Sequence, residues 1–428
     1  MDLTNKPGGL HCDHGPDSLN KKPSPCILCG KCLEVCPLFA ATGREELSPK
    51  AKFFLAQQLA RQADGQGGQA QGPARPGREA AALPEFPGYP DLAEKAVVEL
   101  AGKCLSCGKC EKACPMKLCA PDLLSGLKAA HPNLESRLWR TWVEKAGVLW
   151  PLMVTLTRFA PRFTRNYASI SGLAAMDQRA RLEPWLKPVR FDACGMGRKA
   201  VLFPGCVGSH VQPHWTATAS GLLSGLGFTV LAQPDFACCG CTLGHAGLME
   251  AQRGMQLHNI QAWRDAGRPE LMSFCATCRC GLRAYAARDL GWQPGEQDLW
   301  LAGLVPFSTL AARVEYEFLP GAPEKIHYHA PCHGAGGGQD LDFLKGVLGD
   351  KLVARTRKNL CCGFGGSLKL SAPELSEQVG RRCMEFYGPR PGEQILTGCS
   401  GCVIQLRANA PQGTGVGHWL EIIGHAKS

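Results

Sequence analysis

Cys26-Ile-Leu-Cys29-Gly-Lys-Cys32-Leu-Glu-Val-Cys36-Pro37 decides how this chain is read, and it recurs as Cys104-Leu-Ser-Cys107-Gly-Lys-Cys110-Glu-Lys-Ala-Cys114-Pro115. Both runs have the form C-x2-C-x2-C-x3-C-P, a spacing that lets three thiolates on one tight loop reach three irons of a 4Fe-4S cube. The fourth cysteine opens a helix and points toward the neighbouring cluster, so the expected ligand sets are crossed. Cys26, Cys29, Cys32 and Cys114 form one set, and Cys104, Cys107, Cys110 and Cys36 the other. Gly30 and Gly108 hold the same place in each loop, where the backbone must approach sulfide closely. The proline after each fourth cysteine suits a first helical turn, whose N–H groups have no intrahelical partner. One CxxC is compatible with zinc or thiol–disulfide chemistry; two complete four-cysteine runs are poor zinc knuckles.

Outward from these runs, Ser48–Ala60 reads as a helix with a Ser-Pro start. Residues 61–90 turn to Gln, Gly, Pro and Ala, a composition that cannot bury a core and is expected to be a mobile insertion. A helix from about Asp91 is expected to lead into Cys104, and Cys119 reads as a small buried apolar residue. Together residues 1–125 form a helical two-cluster ferredoxin-like domain. Residues 126–195 read as a helical connector. Its run Val148–Leu156 is apolar but interrupted by Pro151 and too short to cross a bilayer. Trp139, Trp142 and Trp150, with Arg137, Arg140, Arg158, Arg162 and Arg165, suit a surface helix pair for a membrane or partner, or a hairpin packed on the cluster domain.

The C-terminal half contains an internal repeat. One copy has Cys206, Cys238-Cys239-Gly240 and Cys275-Ala-Thr-Cys278; the other has Cys332, Cys361-Cys362-Gly363 and Cys399-Ser-Gly-Cys402. From lone cysteine to pair the intervals are 32 and 29 positions, and from pair to CxxC 36 and 37, too closely matched for chance. Lys199–Phe203 and Lys325–His329 read as strands ahead of each lone cysteine. A helix from Pro213, a strand at Phe228–Leu231, helices at Ala246–Arg264 and Glu374–Phe386, and strands at Glu270–Phe274 and Gln394–Thr397 complete the pattern. This predicts two small α/β domains, 196–320 and 321–428, each with a parallel sheet and with cysteines on loops at the strands' C-terminal ends. The overall class is α+β. Five thiolates per copy exceed what a simple cube or a zinc uses, and adjacent cysteines suit a distorted or extended cluster. If only four bind in the second copy, Cys399 is the one to be released. Cys12, Cys194, Cys241, Cys280 and Cys383 have no repeated position, and His210, His245, His329 and His333 read as ordinary loop histidines.

The 428 residues suffice for two or three domains with cores of their own. Twenty-four cysteines without a basic, apolar leader at Met1–Leu10 point to a reducing compartment with metal-held thiolates. The net charge of +10 is scattered, without a basic block or stacking aromatics, so no nucleic-acid partner is expected. No glycine fingerprint for a flavin or nicotinamide precedes a helix, so hydride chemistry is expected on a separate subunit.

The chain resembles proteins that fuse a two-cluster ferredoxin domain to tandem CCG domains: iron–sulfur subunits of glycolate oxidase, D-lactate dehydrogenase and anaerobic glycerol-3-phosphate dehydrogenase, and the catalytic subunit of heterodisulfide reductase. The carrying residues are Cys29-Gly30, Cys36-Pro37, Pro204-Gly205-Cys206, Cys361-Cys362-Gly363, Pro373-Glu374-Leu375, Gly401-Cys402 and His418-Trp419-Leu420-Glu421-Ile422. The resemblance implies a non-catalytic redox subunit that takes electrons from an FAD-containing 2-hydroxyacid dehydrogenase subunit. Its acceptor would be a protein or a membrane quinone system, and its place cytoplasmic or peripheral on the inner face of the membrane. It also implies one or two further iron–sulfur clusters in the CCG domains. Complete five-cysteine sets in both copies resemble heterodisulfide reductase, whose CCG domains hold noncubane 4Fe-4S clusters.

Overall fold

The computed structural model describes residues 26–63, 98–100, 102–159, 168–334 and 338–424. The two cluster loops are backbone copies of one another. Leu28 and Ser106, third in each run, have φ of 56° and 49°, and Gly30 and Gly108 have 79° and 65°. Left-handed residues alternating with ordinary ones turn successive amides toward the inside of a loop, the geometry of an anion nest. Helices Lys31–Val35 and Lys109–Ala113 follow the loops and pack on each other. Cys36 is the N-cap of helix Pro37–Thr42, with the proline in its first turn. The expected helix after Ser48 runs from Pro49 to Ala63. The rest of the proposed insertion, Cys12, and most of the helix expected from Asp91 lie outside the described residues.

The connector differs from expectation in two ways. Its helices Leu134–Glu144 and Ala146–Thr157 form a hairpin, clasped by Trp142 and Trp150 with ring centroids 5.6 Å apart. The Trp150 indole N–H donates to the Trp142 carbonyl at 3.0 Å. This hairpin packs on the cysteine-rich half, where Trp139 and Val143 share a core with Leu243 and Ala246. The stretch then ends in a strand, β1 (Leu186–Phe191), and not in a helix. Leu186 is buried with Lys187 exposed and Pro188 buried, the alternation of a half-covered strand.

In the first module β2 (Lys199–Leu202) is flanked in parallel by β3 (Thr229–Val230) and β4 (Glu270–Met272). An antiparallel pair of β1 with β5 (Val314–Phe318) closes its side. The second module centres on β6 (Ile326–His329), between β7 (Leu352–Val353) and β8 (Gln394–Thr397). Here β9 (Gly415–His418) adds a fourth parallel strand beyond β8 that the cysteine pattern did not announce. The helix expected over Ala246–Arg264 runs from Met249 to Asp265, and a separate short helix, Cys241–His245, precedes it. Gly247, at φ +79°, breaks them, and a Cβ there would come within 2.6 Å of the Ala129 nitrogen. The break lets helix Ala120–Ala130 dock against the module, with Lys128 Nζ donating to the His245 carbonyl at 3.0 Å.

One apolar core runs through both modules and the connector, anchored on the fully buried Trp215, Trp263, Trp300 and Trp419. No helix among the described residues is long and apolar enough to cross a membrane.

Candidate metal centres

Cys36 lines one small cavity together with Cys104, Cys107 and Cys110. Cys26, Cys32 and Cys114 pack beside Cys110 and Phe53, while Cys29 is exposed. The Ser106 amide donates to Cys104 Sγ at 3.4 Å, a direct product of the left-handed turn. Burial pushes Cys107 up to about 12, and burial followed by Cys26 pushes Cys32 up to about 11. Such thiols become thiolates when a cation takes the proton's place. Cys119 is a half-buried N-cap residue.

The ten cysteines of the repeat converge. Cys206, Cys238, Cys239 and Cys278 line one cavity of about 430 Å³ with Cys332, Cys361, Cys362, Cys399 and Cys402. The two CxxC loops meet through the Ala276 amide, which donates to the Gly398 carbonyl at 2.8 Å. Each loop's first cysteine sits against the other's helix start. Cys275 Sγ is 3.2 Å from Ser400 Oγ and receives the Ser400 amide at 3.5 Å; Cys399 Sγ is 3.1 Å from Thr277 Oγ1. Within each module hydrogen bonding splits the adjacent pair, drawing one thiol down and pushing the other up. Cys238 is drawn well down by hydrogen bonds from Cys206 and Cys239, and Cys362 by those from Cys361 and Cys402. Cys362 and Cys402 sulfurs are 3.2 Å apart. Cys399, hydrogen-bonded to Cys275, is pushed up to about 12.

Several residues that sequence reasoning set aside stand at the centre. His329 ends the buried strand β6, with a ring nitrogen within 4.8 Å of Cys362 and Cys402 sulfurs. Its Nδ1 is 3.3 Å from Tyr387 Oη and 3.6 Å from Cys383 Sγ. Burial opposes its charge, yet Cys383 and Cys362 hold it up at about 10. The equivalent position in the first module, just past β2, is Phe203, so this device belongs to one copy only. His333 is no ordinary loop histidine: Nε2 donates to the Ser106 carbonyl at 3.2 Å, and Nδ1 lies 3.2 Å from Thr277 Oγ1. Lys369 lines the cavity, lowered by burial to about 8, and donates to Gln405 Oε1 at 2.6 Å. Cys241, Cys280 and Cys383 are buried, with Cys194 half-buried.

The ferredoxin-like loop is tied to the second module. Lys109 Nζ donates to the carbonyls of Lys358 and Leu360 at 2.9 and 2.8 Å, and Asn359 Nδ2 to that of Glu34 at 3.2 Å. Burial pushes Cys332 well up, and Cys107 adds to it across the domain boundary.

Soft, clustered thiolates of this kind fit iron–sulfur centres, which supply one-electron redox chemistry when bound. A close backbone approach is built in at Gly205, at φ +67°, where a Cβ would lie 2.5 Å from Cys278 Sγ. Gly205→Ala should therefore strip the first module of its iron. Gly197→Ala, at φ +75° with nothing within 4 Å, shares the backbone strain without the clash and should keep it. Iron and sulfide analysis of the two anaerobically purified variants reads the difference.

Comparison with known families agrees with this architecture. Residues 22–118 match the 4Fe-4S dicluster domain, and residues 200–283 and 326–407 each match the CCG cysteine-rich domain. The chain is thus a 4Fe-4S ferredoxin-like domain fused to tandem CCG domains. It is related to the iron–sulfur subunits of the glycolate oxidase and heterodisulfide reductase families. It is 24% identical to the glycolate oxidase iron–sulfur subunit of Escherichia coli, over 94% of this chain and 93% of that one. It is also 24% identical to a component of the dihydromethanophenazine:CoB–CoM heterodisulfide reductase of Methanosarcina barkeri, over 88% and 86%. The probable glycolate oxidase iron–sulfur subunit of Bacillus subtilis is 21% identical over 89% and 88%.

Proposed function

We propose that this chain is the iron–sulfur electron-transfer subunit of a flavin-dependent 2-hydroxyacid dehydrogenase, with glycolate or lactate oxidised on a partner FAD subunit. Electrons pass through two 4Fe-4S cubes in the ferredoxin-like domain and through centres in the CCG modules to a quinone-linked or other acceptor. The carrying observation is contiguity. The Cys104 set, completed by Cys36, abuts Cys332, and the second module's cysteines share a cavity with the first's. A relay needs neighbouring centres held rigidly, and the Lys109 and His333 hydrogen bonds supply that hold. The relationship to glycolate oxidase subunits along nearly the whole chain supports the choice of system.

The test is purification from the native source under anaerobic conditions. An FAD subunit should co-purify, and hydroxyacid-dependent dye reduction should require both proteins. Turnover by this chain alone, with flavin bound to it, would refute the proposal. A second reading, disulfide reduction, is favoured by the two complete cysteine sets facing one cavity. It expects the isolated chain, given a reductant, to cleave a small disulfide, which a carrier subunit should not do.

A further inference from the structure

His329 stands against the second module's cysteines as a third donor. One of its ring nitrogens, Cys362 Sγ and Cys402 Sγ lie within 4.8 Å of one another, and all three side chains are buried. Donors this close can share one metal ion, and iron accepts imidazole as well as thiolate.

Two side chains of helix Pro373–Tyr387 hold the ring. Cys383 and Tyr387 are one turn apart on that helix and share the face turned to β6. Nδ1 of His329 lies 3.3 Å from Tyr387 Oη and 3.6 Å from Cys383 Sγ. The Tyr387 hydroxyl donates its single proton to the Tyr328 carbonyl at 3.1 Å, so toward Nδ1 it can only accept. Nδ1 therefore keeps a ring proton, and Nε2 is the nitrogen left for the cysteine side. A ligating histidine is arranged in this way: a hydrogen bond from one ring nitrogen fixes the tautomer and frees the other for the metal. Iron at Nε2 takes the place of the second ring proton, which Cys383 and Cys362 hold on when no metal is bound.

In the first module the matching position offers no nitrogen. Phe203 is fully buried there and packs on Phe236 with ring centroids 5.2 Å apart. The two modules thus match in their cysteines and differ in this donor. A neutral imidazole brings less negative charge to iron than a thiolate does, which raises the potential of the centre.

We propose that His329 Nε2 is an iron ligand of the second module's centre, beside Cys362 and Cys402, and sets its potential above that of an all-thiolate centre. The proposal rests on the reading of the CCG modules as iron–sulfur centres.

Pulsed electron paramagnetic resonance of the cluster-loaded full chain tests it, with histidine either natural or labelled with the heavy nitrogen isotope. Poised where the second module's centre is paramagnetic, the chain should show a strong nitrogen coupling that changes with the label. His329→Phe, which installs the residue of the first module, should abolish that coupling and leave the signals of the ferredoxin-like domain unchanged. His329→Cys, which offers a thiolate in place of the imidazole, should also lose the coupling and should lower the centre's midpoint potential in an anaerobic titration. The parent chain decides the matter even where a variant fails to fold. A label-sensitive coupling no stronger than that of backbone amides near sulfur, in a chain whose second module holds iron, means that the ring only donates a hydrogen bond. That result overturns the proposal and leaves the relay intact. Absence of iron beside Cys361 and Cys362 overturns both the proposal and the reading on which it rests.

Discussion

Replacing Cys36 by serine should empty the cluster of Cys104, Cys107 and Cys110, its distant sequence partners, and not the one its own run begins. The structure places Cys36 on the wall of that cavity, at the N-cap of helix Pro37–Thr42 and opposite the second loop. Helices Lys31–Val35 and Lys109–Ala113, packed on each other, hold the two loops in this exchange. Cys114→Ser should have the reciprocal effect on the cluster of Cys26, Cys29 and Cys32. In each variant iron should fall by about one cube's worth, and electron paramagnetic resonance of the reduced protein should lose the broadening of two interacting spins. The Cys36 variant has the larger consequence for electron flow, because the cluster it empties adjoins Cys332. Loss of both clusters together in either variant would show only that the domain fails to fold. The informative contrast is which EPR signal remains.

The second large effect concerns Glu421. Its carboxylate is buried and receives two bonds from Arg407 at 2.8 and 2.7 Å, the Trp215 indole at 2.8 Å, and the amides of Leu182 and His418 at 2.8 and 3.1 Å. It therefore joins the connector, the first module and the second module at one point. Arg407→Met leaves this carboxylate buried without its cation and should cost about 3–5 kcal/mol in anaerobic chemical unfolding. The exposed pair of Arg140 and Glu144, 2.8 Å apart, gives the comparison: Arg140→Met should cost less than about 1 kcal/mol. Equal losses from the two substitutions would mean that the Glu421 junction does not hold the modules together.

Glu421 also shows where sequence reading runs out. The tail His418–Ile422 is visible as a family likeness, but its physical reason is a set of partners up to 239 positions away. The repeat is legible because its cysteines are chemically rare and similarly spaced in the two copies, and its strands because β6 and β8 are short runs just ahead of a lone cysteine and a CxxC. Strand β9 is not, since Gly415-Val-Gly-His418 has too few β-formers to announce itself and is recruited by pairing with β8. Strand β1 is hidden by its proline and by a pairing partner in β5 far along the chain. The site is legible as two sets of five and illegible as one cavity, because nothing in spacing says that Cys275 meets Ser400 or that Cys399 meets Thr277. His329 escapes notice because nothing near it in the sequence announces Cys362, Cys402 and Cys383, which reach it from other elements of the module.

The central claim is a chain of iron–sulfur centres running from the ferredoxin-like loops into the CCG modules. Anomalous diffraction at the iron edge from anaerobically grown crystals tests it most directly. The account predicts iron beside Cys26 and Cys114, beside Cys36 and Cys107, and beside the Cys361–Cys362 pair, with the first module's Cys238–Cys239 pair also metallated. Iron present in the first two positions and absent beside Cys361 and Cys362 would contradict it.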